Sequence, residues 1–150
     1  MPVSPHEILR VATALHFGQT QADDESCWRA SAVRAYYALF HALRLALAGM
    51  RSSTGGVSAD EYNLSHQTLK SHLSKYENNP VVERLTTVFV ETQTLRYTAD
   101  YDIHREVAKR RVGDALNDVG AEIRDLGKTV PHLRLHAPPP HEPVERGRRR

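Results

Sequence analysis

The chain reads as an all-α protein, an up-and-down bundle of about five helices around one core, on three observations. Apolar residues recur at three- and four-residue steps through most of the first 128 positions, the spacing that places them on one side of a helix. Nowhere do apolar and polar residues alternate one by one for the length of a strand. Helix-start residues and breakers such as Pro, Gly and Asn punctuate the periodic runs, leaving short connections between antiparallel neighbours.

The opening "SPHE" is a helix start. Ser4 can cap, Pro5 suits the first helical position, where a backbone N–H has no partner to lose, and Glu7 completes a capping box with Ser4. Ile8, Val11, Ala12 and Leu15 give this helix one core-facing side, and it runs to about Gly18. After the polar stretch "QTQADDES", a long helix spans about Glu25 to Met50, with acidic residues near its positive N-terminal end. "RSSTGGVSADEYN" is a loop of turn formers, and without a following Gly-Lys-Ser/Thr it does not read as a phosphate-cradling P-loop. A third helix covers Leu64 to Tyr76 and is broken by "NNP". Pro80 opens a fourth, on which Val82, Leu85, Val88/Phe89, Thr92 and Leu95 trace a helical face. "TADYD" is expected to form an acidic bend, after which Val107, Ala108, Val112, Ala115, Leu116, Val119, Ile123 and Leu126 describe the last helix.

Residues 1–128 therefore form the bundle. From 129 onward, in "TVPHLRLHAPPPHEPVERGRRR", prolines and charges replace periodicity, and a disordered Pro/Arg-rich tail over 129–150 is the expectation. Pro140 and Pro143 make a PxxP match inside it, though a flexible proline-rich tail is the ordinary reading. His132 and His136, four apart there, are a poor basis for a metal site.

Composition narrows the function. At 150 residues, 40% hydrophobic, the chain can bury one sizeable core with little room for a second domain. The single cysteine, Cys27, excludes an intramolecular disulfide and, with no CxxC pair or zinc-like cluster, points to a reducing, cytoplasmic setting with no metal and no cofactor. The N-terminus lacks a basic segment followed by an apolar run, and the most apolar stretch is interrupted by His41 and Arg44, so neither secretion nor membrane insertion is expected. The net charge of +2 is unevenly held: residues 1–128 carry 15 Lys+Arg against 16 Asp+Glu, the rest 5 Arg against 2 Glu. A nucleic acid would have to meet a local basic groove on the body, because the body has no global positive field.

The second helix carries the most informative pattern. Val33, Tyr36, Phe40, Leu43, Leu47 and Met50 form an apolar stripe, with Ala35, Leu39, Ala42 and Ala46 as a small-residue stripe beside it. A third stripe follows the same stepping: Arg34, Tyr37, His41 and Arg44 share one side, since seven residues turn about 700°. Two guanidinium groups buried without partners would cost several kcal/mol, so this stripe must face water, acidic groups, another subunit or an anionic ligand. "LRYTADYDIH" supplies candidate partners: Arg96 and Asp100 are four apart, with Tyr101, Asp102 and His104 close behind. An Arg34–Asp100 pair between helices is equally conceivable, and the plainest reading of the whole set is an ion-pair network locking two helices together.

"SAVRAYYALFHALR", then "HQTLKSHL", then "LRYTADYD" resemble, in that order, the HEPN domain family, specifically its prokaryotic branch with a YYA-x-FHA helix and an Arg-x-x-Ala-Asp-Tyr motif. The resemblance spans about Pro5 to Leu126 and implies an up-and-down helical bundle, often a homodimer, frequently encoded beside a nucleotidyltransferase in toxin–antitoxin or defence systems. Many members are metal-independent endoribonucleases with an Arg-x4-6-His motif. Arg34 and His41 meet that interval with six residues between, while Arg96 matches the family's later arginine and is followed by His104 only after seven. The resemblance thus implies an RNA-directed protein in which His41 transfers protons, Arg34 and Arg96 stabilise phosphate charge, Asp100 orients Arg96, and Tyr37, Arg44, Tyr101 and His104 contribute to binding. The alternative is a non-catalytic module of the same family that binds a nucleotide, RNA or a protein such as a nucleotidyltransferase-type antitoxin. DNA binding is the third reading, and it lacks a basic recognition helix beyond the short "KRRVGD" cluster.

Overall fold

A computed structural model describes residues 3–18, 25–52, 65–74, 76 and 78–135, without the side chains of 48–52, 130, 134 and 135. Five helices and no strand occur among them: α1 (Pro5–Phe17), α2 (Glu25–Ser52), α3 (His66–Ser74), α4 (Pro80–Tyr101) and α5 (Lys109–Leu135). The stretch read as a loop, apart from its first two residues in α2, and residues 136–150 of the tail fall outside the described residues.

Local chemistry sets the helix starts. The Glu7 N–H donates to Ser4 Oγ at 3.2 Å and the Ser4 N–H to Glu7 Oε2 at 2.7 Å, so the capping box is formed in both directions. Those hydrogen bonds from Ser4 hold the Glu7 carboxyl below its ordinary pKa. At α4, Asn79 accepts from the Val81 N–H at 3.1 Å and Pro80 follows as the first helical residue.

The four long helices alternate in direction. Tyr36 meets Phe89 while Arg29 reaches Ala99, so α2 and α4 run antiparallel; Arg84 pairs Glu122 while Asn79 meets His132, so α4 and α5 do too. Leu9 lies by Gly120 and His16 by Gly113, which makes α1 antiparallel to α5. The bundle is therefore up and down, with α2 packed against α1, α4 and α5, and α3 against α4. Small residues let α1 and α2 approach closely: Ala12, Ser31, Ala32 and Ala35 are buried, and Ser31 Oγ donates to the Ala12 carbonyl at 2.7 Å. The rest of the core is Tyr36, Leu39, Phe40 and Leu43 of α2 with Val82, Leu85, Phe89 and Leu95 of α4 and Val112, Leu116 and Val119 of α5. The buried Thr92 hydroxyl is satisfied by the Val88 carbonyl at 2.7 Å.

Besides two-residue shifts at the ends of α2 and α3 and the start of α5, two boundaries differ from the sequence reading. "TADY" is the last turn of α4 rather than a bend, and the chain turns only at Asp102–Arg105. α5 does not stop at Lys128; it continues to Leu135 through Pro131. Thr129 and Leu133 are almost fully buried and Asn79 Nδ2 lies 3.2 Å from His132 Nδ1, so tertiary packing carries the helix past a residue that costs it a backbone hydrogen bond.

Candidate functional site

The site is set at the end of α4, and Arg29 holds that end in place. Its Nη1 donates to the carbonyls of Thr98 (3.1 Å), Ala99 (3.1 Å) and Asp102 (3.2 Å), and Nη2 donates to that of Arg105. Among the described residues the Ala99 and Arg105 carbonyls have no backbone donor, while those of Thr98 and Asp102 also accept from the N–H groups of Asp102 and Arg105; a cation there also meets the negative end of the helix dipole. Glu25 Oε1 accepts from Arg29 Nη2 at 2.7 Å and from the Val107 N–H at 3.2 Å, which ties the first turn of α2 to both sides of the α4–α5 turn.

One turn back on α4, Arg96 gathers the first cluster. Its Nη2 donates to the hydroxyls of Tyr37 at 3.3 Å and Tyr101 at 3.2 Å, and its guanidinium carbon lies 5.6 Å and 5.2 Å from the centres of those rings. Asp100 Oδ2 is 2.9 Å from Arg96 Nε, but that N–H points out of line, so the attraction is charge–charge without a hydrogen bond. Of the two partners conceivable for Asp100, the intrahelical arginine is the one realised. Tyr101 and Tyr97 stand exposed, their rings 5.0 Å apart.

The second cluster is aromatic and basic. His41 stacks near Tyr37 (6.2 Å, 26°) and meets Phe40 edge-on. Arg44 lies over the Phe40 ring at 5.4 Å and enters no ion pair among the described residues. His66, at the start of α3, stacks on the other part of this group: its ring is 4.2 Å from Phe40 at 29° and 6.1 Å from Tyr37, and its Nδ1 is hydrogen-bonded to the Tyr36 hydroxyl. Burial, with Arg44 adding its charge, holds His41 below the ordinary histidine range. Burial does the same to His66, reinforced by Arg96, Arg44 and His41, so both imidazoles are neutral near neutral pH.

The sequence-predicted residues thus divide. Tyr37, His41, Arg44, Arg96, Asp100 and Tyr101 come together across α2 and α4. Arg34 does not join them: it is exposed and turns back along its own helix to the Ala30 carbonyl at 3.3 Å. His104 is exposed in the turn after α4, with no contact to the cluster among the described residues. His66 is the functional-site member that the spacing argument missed; it lies inside the quoted "HQTLKSHL", but helical stepping along α2 cannot reach across to another helix. Among the described residues, no three His, Cys, Asp or Glu side chains gather closely enough to hold a metal ion. No helix there is long and apolar enough to cross a membrane. Comparisons with protein-family models, with curated proteins and with solved structures each return no match.

Proposed function

We propose that this chain is an RNA-directed helical protein of the HEPN kind and a metal-independent endoribonuclease of toxin or defence type, acting in the cytoplasm. The observation that carries the reading is a neutral histidine, His41, sharing one aromatic-lined surface with Arg96 and with Arg44, which has no carboxylate partner among the described residues. Cleavage of RNA can use the substrate's own 2′-hydroxyl. His41 takes its proton as O2′ bonds to phosphorus, and returns it to the 5′-oxygen as the P–O5′ bond breaks, leaving a 2′,3′-cyclic phosphate and a 5′-hydroxyl. Arg44 and Arg96 face the phosphate charge, with Tyr37 and Tyr101 as its hydroxyl and stacking contacts. Arg34, exposed one turn away, suits a flanking phosphate better than the reacting one.

A second reading has its own observation: Arg96 is already engaged by Asp100, Tyr37 and Tyr101. An arginine so occupied suits a module that binds RNA, a nucleotide or a protein such as a nucleotidyltransferase partner, or that pairs with a second copy of itself. The test is cleavage of mixed single-stranded RNA in EDTA by wild-type protein, His41→Ala and Arg96→Ala, each shown by circular dichroism to be folded. Cyclic-phosphate ends, reduced on the order of 10²–10⁴-fold without the imidazole, are expected. RNA binding without any cleavage moves the conclusion to the second reading.

A further inference from the structure

The proposed function leaves one imidazole of the cluster without a task. His66 is only partly buried and, with Ser65, Lys70, Ser71, Ser74 and Gln93, lines an open polar groove along α3 and α4. Its ring is fixed on both sides: stacked on Phe40, and bound through Nδ1 to the hydroxyl of Tyr36, a residue with no exposed surface. Nε2, by contrast, makes no hydrogen bond among the described residues and is not sealed from solvent.

The pair allows two arrangements of its protons. Burial pushes the Tyr36 hydroxyl up to about 12, so it keeps its proton, and His66 arrives neutral. Between a protonated phenol and a neutral imidazole either can donate; when the phenol does, Nδ1 accepts and the one remaining ring proton sits on Nε2. Among the described residues, the charged and titratable groups around this imidazole are Tyr36, Tyr37, His41 and Arg44 of α2, Arg96 of α4 and Lys70 of its own helix; none of these is a carboxylate, so with the proton on Nε2 the atom at the surface is a donor in anion-favouring surroundings.

We propose that His66 presents Nε2–H as a hydrogen-bond donor to a non-bridging oxygen of the RNA phosphodiester, with Tyr36 as the positioning residue that fixes its tautomer. The inference rests on the RNA-directed reading above and adds to it a second histidine that binds without transferring a proton. An amide distinguishes the two ring nitrogens: glutamine places its N–H₂ where Nε2 stands, whereas asparagine reproduces only Nδ1.

The experiment measures binding and single-turnover cleavage of a mixed-sequence single-stranded oligoribonucleotide in EDTA by wild type, His66→Gln, His66→Asn and Tyr36→Phe. Imidazole nitrogen shifts of ¹⁵N-labelled wild type and Tyr36→Phe are recorded beside it. His66→Asn is expected to lose roughly ten- to a hundredfold, the worth of one hydrogen bond to a charged oxygen, while His66→Gln stays within about threefold. Wild-type His66 is expected as the single Nε2–H tautomer, becoming a mixture in Tyr36→Phe. Wild-type protein that neither binds nor cleaves overturns the RNA-directed reading and this inference together. RNA activity that His66→Asn leaves intact, or that His66→Gln loses equally, overturns this inference alone. So does a wild-type His66 protonated on Nδ1, a result that needs no variant to fold.

Discussion

Arg29 and Arg96 are exposed to nearly the same small degree, 17% and 19% of the side chain, and both grip the end of α4. Besides its ion pair with Glu25, Arg29 is bound by main-chain carbonyls of the α4 end and the following turn, which no substitution elsewhere in that segment can remove. Arg96 is bound by a carboxylate and two tyrosine hydroxyls, side-chain partners that can rotate away and leave it to a ligand. Burial alone would rank the two alike. What separates a brace from a binding group here is whether the partners can let go.

Removing Arg29 should produce the largest effect. Arg29→Met leaves the Ala99 and Arg105 carbonyls at the α4–α5 turn without a donor and Glu25 without its cation, and is expected to lower unfolding free energy by roughly 2–4 kcal/mol in urea titration. Arg29→Lys should recover only part of that, since an ammonium cannot span the same set of carbonyls. A loss under ~0.5 kcal/mol for Arg29→Met would show that water replaces the brace, and the contrast would dissolve.

Acidification comes next and acts on the other side of the comparison. His16, His41 and His66 all have folded-state pKa values lowered from 6.5, mainly by burial. The unfolded chain therefore binds more protons as pH falls through about 6.5, and stability should decline there, being fully present above it. Thermal midpoints across that window test it. Replacing His16, whose buried Nδ1 has no hydrogen-bond partner among the described residues, by Gln should remove part of the decline and leave RNA binding untouched, whereas replacing His41 or His66 should alter both.

The smallest change in stability is expected for Arg96→Met, about 1 kcal/mol or less because its ion pair is partly solvated. The same variant should lose RNA binding, read by fluorescence anisotropy at low and moderate salt. If its stability cost equalled that of Arg29→Met, Arg96 would be a second brace, and the case for a site at this end of α4 would lose its cation.

What the sequence made legible was what is local along the chain. Ser4, Pro5 and Glu7 sit within one helical turn, as do Asn79 and Pro80, so their capping chemistry can be read directly. The Arg96–Asp100 pair is four residues apart and was visible for the same reason. Arg29 was not, because its partners are carbonyls, and every residue has one. His66 and Tyr36 are thirty residues apart, and no periodicity carries from one helix into the next. The end of α5 was hidden differently: Pro131 and the charges beyond Lys128 resemble a tail, and only the burial of Leu133 shows that packing has overruled propensity.

The shortness of α3 has a consequence for how the cluster opens. A helix of nine residues does not hold itself together in water, so α3 keeps its form only while Leu69 and Leu73 remain docked. Undocking carries His66 away from Phe40 and strands the Tyr36 hydroxyl, a penalty of about 1–3 kcal/mol added to the lost apolar contacts. Folding of α3 and assembly of the second histidine's site are thus a single local equilibrium, and amide exchange in α3 should slow whenever something occupies the groove beside it.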